Sequence, residues 1–581
     1  MDVHVVGDDP VKDAVVAALE DVDVGVQDAT PSDLEEARFA IVTDLVGAET
    51  FEVANEAARD GNTPWIAVEV GGIGGQPLAA VDAAVSGFAP ATGCFECLRA
   101  RVGSTVEDPG TNHRADRSAV RLAGAIAGRE CVRVFAGEEQ SIIGHVRELP
   151  YARHRLLPVP GCACQNGDRD RTLERDDETL ALETAVERVE PAIDDRLGPI
   201  TNIGEVESFP APYYLASTAN TTAFSEAKAP SQSAGVDHDW NAALMKGVGE
   251  ALERYCAAVY REDDFVISRE DDLDGEVVSP TDLVRPDDAP AYDPDEEIRW
   301  VVGKNFASGE RAYLPAAAVH FPQPGPSYVP QITTGLGLGS STVDALTAGL
   351  TEVLERDAAM IAWYSTYEPV TLEVADGAYD TLVRRARGEG LTVTPLLLTQ
   401  DVDVPAIAVA VHREIDEDPS DAEWPHFALG SAASLDVLGA ARSALAEALQ
   451  NWMELRGLGP ENADSAGGAI GEYASFPARV REPLESPQSL PAESVGPDPV
   501  PTGNEALESL IDRTTDAGLT PYAAKLTTRD VASLGFEAVR VVVPGAQPLF
   551  TDDPYFGDRA RTVPEELGFE SRLERAFHPY P

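Results

Sequence analysis

Residues 243–254 read ALMKGVGEALER, and the same arrangement returns as ALTAGLTEVLER at residues 345–356 and as AARSALAEALQ at residues 440–450. Each stretch has a small residue, another four positions later, an acid three further on, and a second polar acceptor after three more. With about 3.6 residues per turn, these positions share one stripe of a helix, where small residues admit a close neighbour. Clustered acids suit a hard ion such as Mg²⁺, which in turn brings phosphates. The repeat therefore predicts a shared acidic site, although a single copy would fit a solvated helix face equally well.

The three stretches closely resemble the ATP-binding segments of YcaO proteins, over roughly residues 196–581. YcaO enzymes use ATP and Mg²⁺ to activate a backbone amide of a peptide or protein. The resemblance implies four glutamates that hold Mg²⁺, two arginines that neutralise phosphate oxygens, and a Glu and a Gln that complete the nucleotide pocket. These residues are, in the same order, Glu250, Glu253, Glu352 and Glu355; Arg254 and Arg356; and Glu447 and Gln450. Where the family has a Gly-Lys-Gly or Gly-Arg-Gly element, this chain reads SQSAGVDHDW, and the available substitutes are Lys228 and Lys246.

The family also places a proline-rich tail near the chemistry. Here the sequence closes with Phe577, His578, Pro579, Tyr580 and Pro581, which keeps a Pro-x-Pro pattern. By this resemblance Pro579 and Pro581 are catalytic candidates. His578 is a candidate general base, and the alternative is a solvated histidine. Because proline restricts its own backbone and that of the preceding residue, we expect an ordered, rigid tail with Phe577 as an apolar plug.

Four of the six cysteines form two close pairs, Cys94 with Cys97 and Cys162 with Cys164, each after a glycine. One pair alone could be a redox pair, but two pairs favour a tetrahedral Cys₄ site with a structural Zn²⁺. The phrases GCFECLRAR and VPGCACQ also resemble the zinc ligands of the ThiF-like partner proteins of azole-forming cyclodehydratases. In those partners a degenerate adenylating-enzyme fold recruits the peptide substrate.

Residues 1–90 alternate strand and helix patterns, which predicts a parallel, doubly wound, Rossmann-like sheet. The turn GDDP after the first strand lacks phosphate-binding glycines and has two acids, so we expect no nucleotide there. The composition of residues 457–505, rich in Pro, Gly, Ser and Glu, predicts an exposed excursion or a mobile loop. The fold class is therefore α/β and α+β, multidomain. Its parts are a degenerate ThiF-like domain (1–90), a zinc-binding Cys₄ subdomain (91–165), an acidic linker with a helix (166–195) and a YcaO domain of mixed sheets and helices (196–581).

Composition narrows the possible functions. A chain of 581 residues is too long for one compact core. Its formal net charge is -56. We interpret this acidity as adaptation to very high salt, which screens the repulsion. It argues against binding of nucleic acid or anionic membrane and favours a basic peptide partner. With no secretory pattern at the start and no apolar window of about 18 residues, we expect a cytoplasmic protein, and further expect a homodimer.

Three functions remain open on the sequence. The first is an ATP-dependent cyclodehydratase that makes azolines from Cys, Ser or Thr of a ribosomal precursor peptide, converts ATP to ADP and phosphate, and works beside a flavin dehydrogenase. The second is thioamidation of a peptide or protein backbone, which needs a sulfur-delivery partner. The third is a non-catalytic peptide-binding scaffold. The missing Gly-Lys-Gly element favours the scaffold, and the two intact Glu-x-x-Glu-Arg elements oppose it.

Overall fold

A computed structural model describes most of the chain. The described residues are 2–581 apart from 21, 23, 107–109, 111–114, 139, 151, 165–168, 414–423 and 486–487. The expected boundary between zinc subdomain and linker, at residues 165 and 166, lies outside the described residues. Among the helices of the described ranges, none combines the length and apolar character needed to span a bilayer.

The N-terminal part is a mixed seven-stranded sheet. Its elements are β1 (Asp2–Val6), α1 (Val11–Leu19), β2 (Gly25–Asp28), β3 (Ala40–Leu45), α2 (Thr50–Gly61), β4 (Trp65–Val70), β5 (Gly72–Ile73), β6 (Gln76–Pro77), β7 (Ala83–Phe88), α3 (Phe95–Thr105), α4 (Arg117–Phe135), β8 (His145–Leu149) and β9 (Ala152–Arg155). The sheet order is β2-β1-β3-β4-β7-β8-β9, with the small hairpin β5-β6 beside it. The first four strands pair in parallel, whereas β7, β8 and β9 pair antiparallel.

The prediction of a parallel sheet for residues 1–90 is thus right for β1, β3 and β4, but it missed β2 and is wrong for β7, which pairs antiparallel with β4. The connection from β4 to β7, residues 71–82, contains the β5-β6 hairpin and no helix, whereas a parallel crossover usually contains a helix. Since β8 and β9 complete the same sheet, residue 90 is not an edge of this structural unit.

Helices cover both faces of this sheet, as the doubly wound prediction requires. On one face Phe51 of α2 and Phe95 of α3 pack with Trp65. On the other, Val15 of α1 and Ala127 of α4 belong to the core that includes Ile66. Side chains of neighbouring strand residues point to opposite faces, so Trp65 and Ile66 of β4 contribute to different cores.

The described residues after β9 form three more sheets and the long helices. The elements up to the middle are α5 (Leu182–Val189), β10 (Ile200–Glu207), β11 (Tyr213–Thr218), β12 (Gln232–Val236), α6 (Trp240–Ala258), β13 (Val266–Ser268), β14 (Glu276–Val277), β15 (Ile298–Asn305), β16 (Arg311–Pro315), α7 (Ala316–Val319), β17 (Leu336–Gly339), α8 (Thr342–Trp363), β18 (Val370–Glu373) and α9 (Gly377–Gly388). They continue with β19 (Thr392–Leu397), β20 (Ala406–His412), β21 (Phe427–Ala433), α10 (Val437–Leu458), α11 (Ile470–Tyr473), α12 (Ala478–Arg481), β22 (Ser489–Pro491), α13 (Gly503–Asp516), β23 (Tyr522–Lys525), α14 (Arg529–Ser533), β24 (Glu537–Val542) and α15 (Arg559–Glu566).

The sheet orders bring distant strands together. They are β10-β11-β12, then β14-β16-β15-β23-β24-β17 with β13 on β15, then β21-β20-β19-β18-β22. The pairing of β17 with β24 joins residues about two hundred positions apart and is antiparallel. This pairing sets α8 and a late strand of the chain side by side.

The segment 457–505 differs from its prediction. It folds into α11, α12 and β22, together with short 3₁₀ turns, and Tyr473 is almost fully buried. The ring of Tyr473 meets that of Trp363 edge to face at 6.0 Å. Composition suggested a mobile excursion, but Tyr473, Phe476 and Val480 recur at short intervals and supply an apolar face that docks on the domain.

A buried charged cluster joins the N-terminal part to the rest. Arg101 of α3 forms an ion pair with Asp530 of α14, and both side chains are essentially inaccessible to solvent. Tyr255 of α6 donates from Oη to the same Asp530 carboxylate at 2.6 Å and accepts from Arg101 at 3.3 Å. The cluster therefore ties α3, α6 and α14 together at one point.

Candidate active site

Three strand–helix units build the candidate site: β12 with α6, β17 with α8, and β21 with α10. In each, a backbone N–H at the strand donates to the first glutamate of the repeat on the helix. The donor–acceptor pairs are Ala234 with Glu250 at 2.7 Å, Gly335 with Glu352 at 3.0 Å, and Ser431 with Glu447 at 2.7 Å. The repeat in the sequence therefore corresponds to a repeat in the structure, in which a strand N–H donates to a glutamate of the neighbouring helix.

A glycine on each strand, opposite the small residues of the repeat, lets the strand lie directly against its helix. A Cβ on Gly235 would come within 2.1 Å of the backbone N of Gly247, and one on Gly337 within 2.2 Å of the Ala345 carbonyl oxygen. In the third unit, a Cβ on Gly430 would lie 2.4 Å from a backbone oxygen of α10. Any side chain at these glycines would push the helix and its glutamate away from the strand.

The three units surround a cavity of about 770 Å³, named here the nucleotide cavity. Most of the residues predicted for Mg²⁺ and nucleotide line it: Glu250, Arg254, Glu352, Glu355, Arg356, Glu447 and Gln450, together with Pro581. Glu253 does not line the cavity, but its carboxyl group feels the charges of Glu352 and Glu250. The structure therefore brings the three predicted segments together around one space.

The electrostatics of this cluster suit a divalent cation. Burial, together with the charges of Glu352 and Glu250, raises the pKa of Glu253 to about 8. Burial also raises the pKa of Glu447 to about 7 and raises the pKa of Glu250 and of Glu352, although arginines nearby act in the opposite direction. A bound cation would replace the protons on these oxygens and relieve the repulsion. The donor set fits Mg²⁺.

The two predicted arginines have different partners. Arg254 pairs with Glu250, one turn earlier on α6. Arg356 donates from Nη1 to the backbone oxygen of Pro581 at 3.0 Å, and its Nε lies 3.6 Å from Glu355 Oε1. Arg356 therefore bridges a predicted metal ligand and the tail.

Sequence reasoning missed two residues of the site. Arg540 of β24 is buried and donates from Nη1 to a backbone oxygen at 2.9 Å. Burial lowers the pKa of Arg540 to about 10, although the negative charges of two glutamates of the cluster act to raise it. Ser431 donates from Oγ to Glu355 Oε1 at 2.6 Å. Arg540 left a signal, as the single charge in the apolar run AVRVVV of residues 538–543. Nothing in the sequence distinguishes Ser431.

Of the two substitute lysines, one lies at the cavity. Lys246 lines it, with Nζ 2.6 Å from Asp237 Oδ2. Lys228 is exposed and is not among the described residues of the lining. Only Lys246 is therefore placed to contact a ligand in this cavity.

The tail folds back onto the domain. Trp363 donates from Nε1 to the tail backbone at 2.9 Å, and the rings of Phe577 and Phe550 lie 5.4 Å apart. Pro581 lines the nucleotide cavity, whereas Pro579 lines a second cavity. The tail thus reaches the candidate site at one residue.

His578 is not the solvated residue that the sequence allowed. Its side chain is fully buried, and Nε2–H donates to the Phe550 carbonyl oxygen at 2.7 Å. Burial lowers the pKa of His578 to about 4. The imidazole lies against the rings of Phe550, Phe577 and Tyr580 and is neutral at pH 7, and it is not among the described residues that line the nucleotide cavity. In this conformation it supports the tail and has no access to the predicted chemistry.

The four predicted zinc ligands converge. Sγ–Sγ distances are 3.9 Å for Cys94–Cys97, 3.6 Å for Cys94–Cys162 and 3.5 Å for Cys97–Cys164, and all four sulfurs lie within 4.8 Å of one another. Zn–S bonds of about 2.3 Å in a tetrahedron place sulfurs about 3.8 Å apart, so the spacing fits zinc. Arg529 donates to Cys164 Sγ at 3.3 Å, which would offset the charge of the thiolates.

We expect purified protein to hold one Zn²⁺ per chain, and Cys97→Ser to lose both the metal and folding stability, because thiolate ligation contributes folding free energy. Elemental analysis and a thermal melt measure the two effects. Cys131→Ser is the matched control: Cys131 is equally buried but lies outside the cluster, so this variant should keep its zinc. A parent protein without zinc, or zinc retained by the Cys97 variant, would refute the assignment.

Comparison with known proteins identifies the family. Residues 234–547, more than half of the chain, match the family described as YcaO cyclodehydratase, ATP- and Mg²⁺-binding. The chain belongs to the YcaO family. Its class is therefore that of ATP-dependent enzymes of the heterocyclase type.

Two further proteins resemble the chain in sequence. The chain is 26% identical over 322 residues to an uncharacterised protein of Methanothermobacter thermautotrophicus, which covers 54% of this chain and 81% of that protein. It is 26% identical over 232 residues to an uncharacterised protein in the tfuA 3′ region of Rhizobium leguminosarum bv. trifolii, covering 38% of this chain and 54% of that protein, so it spans about half of that relative.

Two solved structures share the fold along nearly the whole chain. A heterocyclase in complex with substrate and cofactor has a TM-score of 0.76 at 18% identity, covering 100% of this chain and 85% of that chain. The heterocyclase TruD has a TM-score of 0.66 at 17% identity, covering 98% and 81%. At these identities the likeness shows the fold alone, and it includes the N-terminal part that the family match does not reach. The multidomain fold predicted from the sequence is confirmed.

Proposed function

We propose that the protein uses ATP and Mg²⁺ to activate backbone amides of a peptide, and that Cys, Ser or Thr side chains of that peptide close azoline rings. The observation that carries the proposal is the convergence of three acidic segments, Arg356 and Pro581 on one cavity. The heterocyclase fold along the whole chain supports it.

The reaction defines what the residues must do. The substrate thiol or hydroxyl gives its proton to a base and attacks the preceding carbonyl carbon, so that the carbonyl oxygen becomes an oxyanion. That oxygen takes the γ-phosphoryl group and ADP leaves; loss of phosphate and of the amide proton then leaves a C=N bond in the ring. Phosphoryl transfer depends chiefly on positioning and charge neutralisation. Arg254 and Arg356 supply fixed positive charge at the cavity for this step, and buried Arg540 adds its charge near Glu253 and Glu352.

Four glutamates would hold the metal. In this proposal Glu250, Glu253, Glu352 and Glu355 bind Mg²⁺, which when present neutralises charge on the transferring phosphate. Glu447 and Gln450, on the third helix, face the nucleotide. The strand N–H groups that bind Glu250, Glu352 and Glu447 keep these carboxylates oriented before any ligand arrives.

The N-terminal part and the surface fit a peptide-modifying role. We propose that the degenerate ThiF-like part recruits a precursor peptide, with a flavin dehydrogenase as a further partner, and that the acidic surface favours basic segments. The cytoplasmic location, homodimer and need for high salt expected from the sequence are part of the same proposal.

Mass spectrometry tests the proposed reaction. The protein, ATP and Mg²⁺ in molar KCl are incubated with candidate Cys- or Ser-containing peptides. Phosphorylation followed by loss of phosphate should lower the peptide mass by about 18 Da per ring, whereas a thioamide, formed with a sulfide source, would raise it by about 16 Da. A gain in mass would support thioamidation, and binding of peptide without ATP turnover would support the scaffold. Either result would overturn the cyclodehydratase proposal.

The tail has its own expected result. Removing residues 579–581 should lower peptide modification at least about tenfold, since tail contacts position reacting groups, and such contacts are worth several kcal/mol in total. Nucleotide binding should change little, because Arg356 and the glutamates remain. Modification yield and nucleotide affinity are measured in parallel, with a thermal melt to show that the shortened chain is folded. Equal yield from the shortened chain would show that the tail is incidental.

A further inference from the structure

A second cavity, of about 430 Å³, lies next to the tail and is named here the tail cavity. Pro579 and Tyr580 line it, whereas the next residue, Pro581, lines the nucleotide cavity. The last three residues of the tail thus stand between the two spaces. The function proposed above does not use the tail cavity.

The two cavities also share α8 and β21. On α8, Arg356 lines the nucleotide cavity and Ala362 the tail cavity, and six residues of helix span about 9 Å. On β21, Ser431 lines the nucleotide cavity and Leu429 lines the tail cavity, and two residues of strand span about 7 Å. An extended peptide covers this distance with about two or three residues.

The lining of the tail cavity combines an apolar floor with a charged rim. Floor residues are Trp363, Leu398, Ala408, Phe427 and Leu429, and all are buried. Rim residues are Glu368, Glu482, Glu485, Arg572 and Arg575. Polar and apolar surface are about equal in this pocket, and an apolar floor beneath placed polar groups is a common form of ligand site.

The rim disfavours an acidic ligand. Arg575 lies over the Trp363 ring at 4.1 Å and donates to the Trp363 carbonyl oxygen at 2.8 Å, so its guanidinium is part of the wall. Three carboxylates then face one further arginine, Arg572. An apolar, uncharged group suits both the floor and the rim.

We propose that the tail cavity receives an apolar side chain of the substrate peptide, two or three residues from the amide that is activated. Only the identification of the bound peptide as the substrate rests on the proposed function. The shape and the lining of the cavity do not depend on it. Burial of that side chain would hold the amide near the phosphate end of the nucleotide cavity. The cavity would select for aromatic or aliphatic residues beside the modified position and against acidic ones.

Photo-crosslinking tests the assignment without any need for turnover. The probes are glycine-rich peptides of nine residues with one Cys and a benzoylphenylalanine two or three positions away, together with twins that carry Ala in place of Cys. Adducts on the full-length protein are mapped by mass spectrometry. We expect them at Trp363, Tyr367 or Leu484, and expect a peptide with Phe at the probe position to compete at least tenfold better than one with Asp.

Two matched variants sharpen the result. Leu484→Trp enlarges a partly buried residue of the lining and should reduce labelling at least tenfold, whereas Leu490→Trp, in the same segment but exposed and outside the lining, should leave it unchanged. Labelling spread over the surface, or equal competition by Phe and Asp peptides, would overturn the proposal even if Leu484→Trp failed to fold. Specific labelling by the Cys peptides without ATP turnover would support the cavity and refute the proposed reaction. The Ala twins cannot close a ring, so equal labelling by them would show that binding in the cavity does not depend on the reaction.

Discussion

Glu253→Gln is expected to lower ATP turnover by about three orders of magnitude. A metal ligand that stabilises transferring charge is worth several kcal/mol, and each 1.36 kcal/mol is about tenfold in rate. Glutamine keeps the shape of the protonated acid. It cannot lose a proton to become the carboxylate that a cation binds. We therefore expect a folded protein that binds Mg²⁺ weakly, measured by phosphate release and by Mg²⁺ titration.

The pH dependence of stability distinguishes this role from a structural one. The pKa of Glu253 is raised to about 8 in the folded state, so without metal its contribution favours folding at low pH and is lost as the pH rises through 8. Above pH 8 without Mg²⁺, Glu253→Gln should therefore be more stable than the parent, and Mg²⁺ should reverse the order. Glu505→Gln, on an exposed position of α13, is the control and should change neither property. A variant that unfolds while its folded fraction keeps normal turnover would place Glu253 outside the site.

Asp530→Ala is expected to cost about 3–5 kcal/mol of the free energy of unfolding, as breaking one side of a buried ion pair typically does. The change leaves the Arg101 guanidinium buried without its carboxylate and removes the acceptor of Tyr255 Oη. Since α3 also carries Cys97 and α6 carries Glu253, the variant should loosen the junction between the zinc site and the acidic site. Urea unfolding in high salt measures the loss.

A double replacement and an exposed control complete this experiment. Arg101→Met combined with Asp530→Leu should recover part of the loss, because apolar residues of similar size avoid the cost of burying charge, although Tyr255 Oη still lacks its acceptor. Asp512→Ala, on the exposed side of α13, should change the free energy of unfolding by less than about 0.5 kcal/mol. A loss below about 1 kcal/mol for Asp530→Ala would show that water or other groups compensate Arg101.

Much of the site could be predicted from local patterns. Ala243, Gly247 and Glu250 recur at helical spacing, and that spacing alone indicates a common stripe on each of three helices. The two cysteine pairs likewise indicated that they would meet, because two close Cys pairs within one domain are typical of a shared metal site. The first strands and helices of the N-terminal part were also predicted correctly, since alternation along a strand and 3.6-residue periodicity are properties of short segments.

By itself, then, the sequence determined the three acidic helices, the clustering of four cysteines and the parallel strands β1, β3 and β4, because periodicity and spacing are written within a few residues. Only the tertiary structure decided which groups complete the sites. Asp530 meets Arg101 across 429 positions, Arg540 reaches the glutamates through the pairing of β24 with β17, and His578 is buried because the tail docks on Phe550. Contacts of this kind depend on how separate elements pack, and no local pattern at either partner specifies the other.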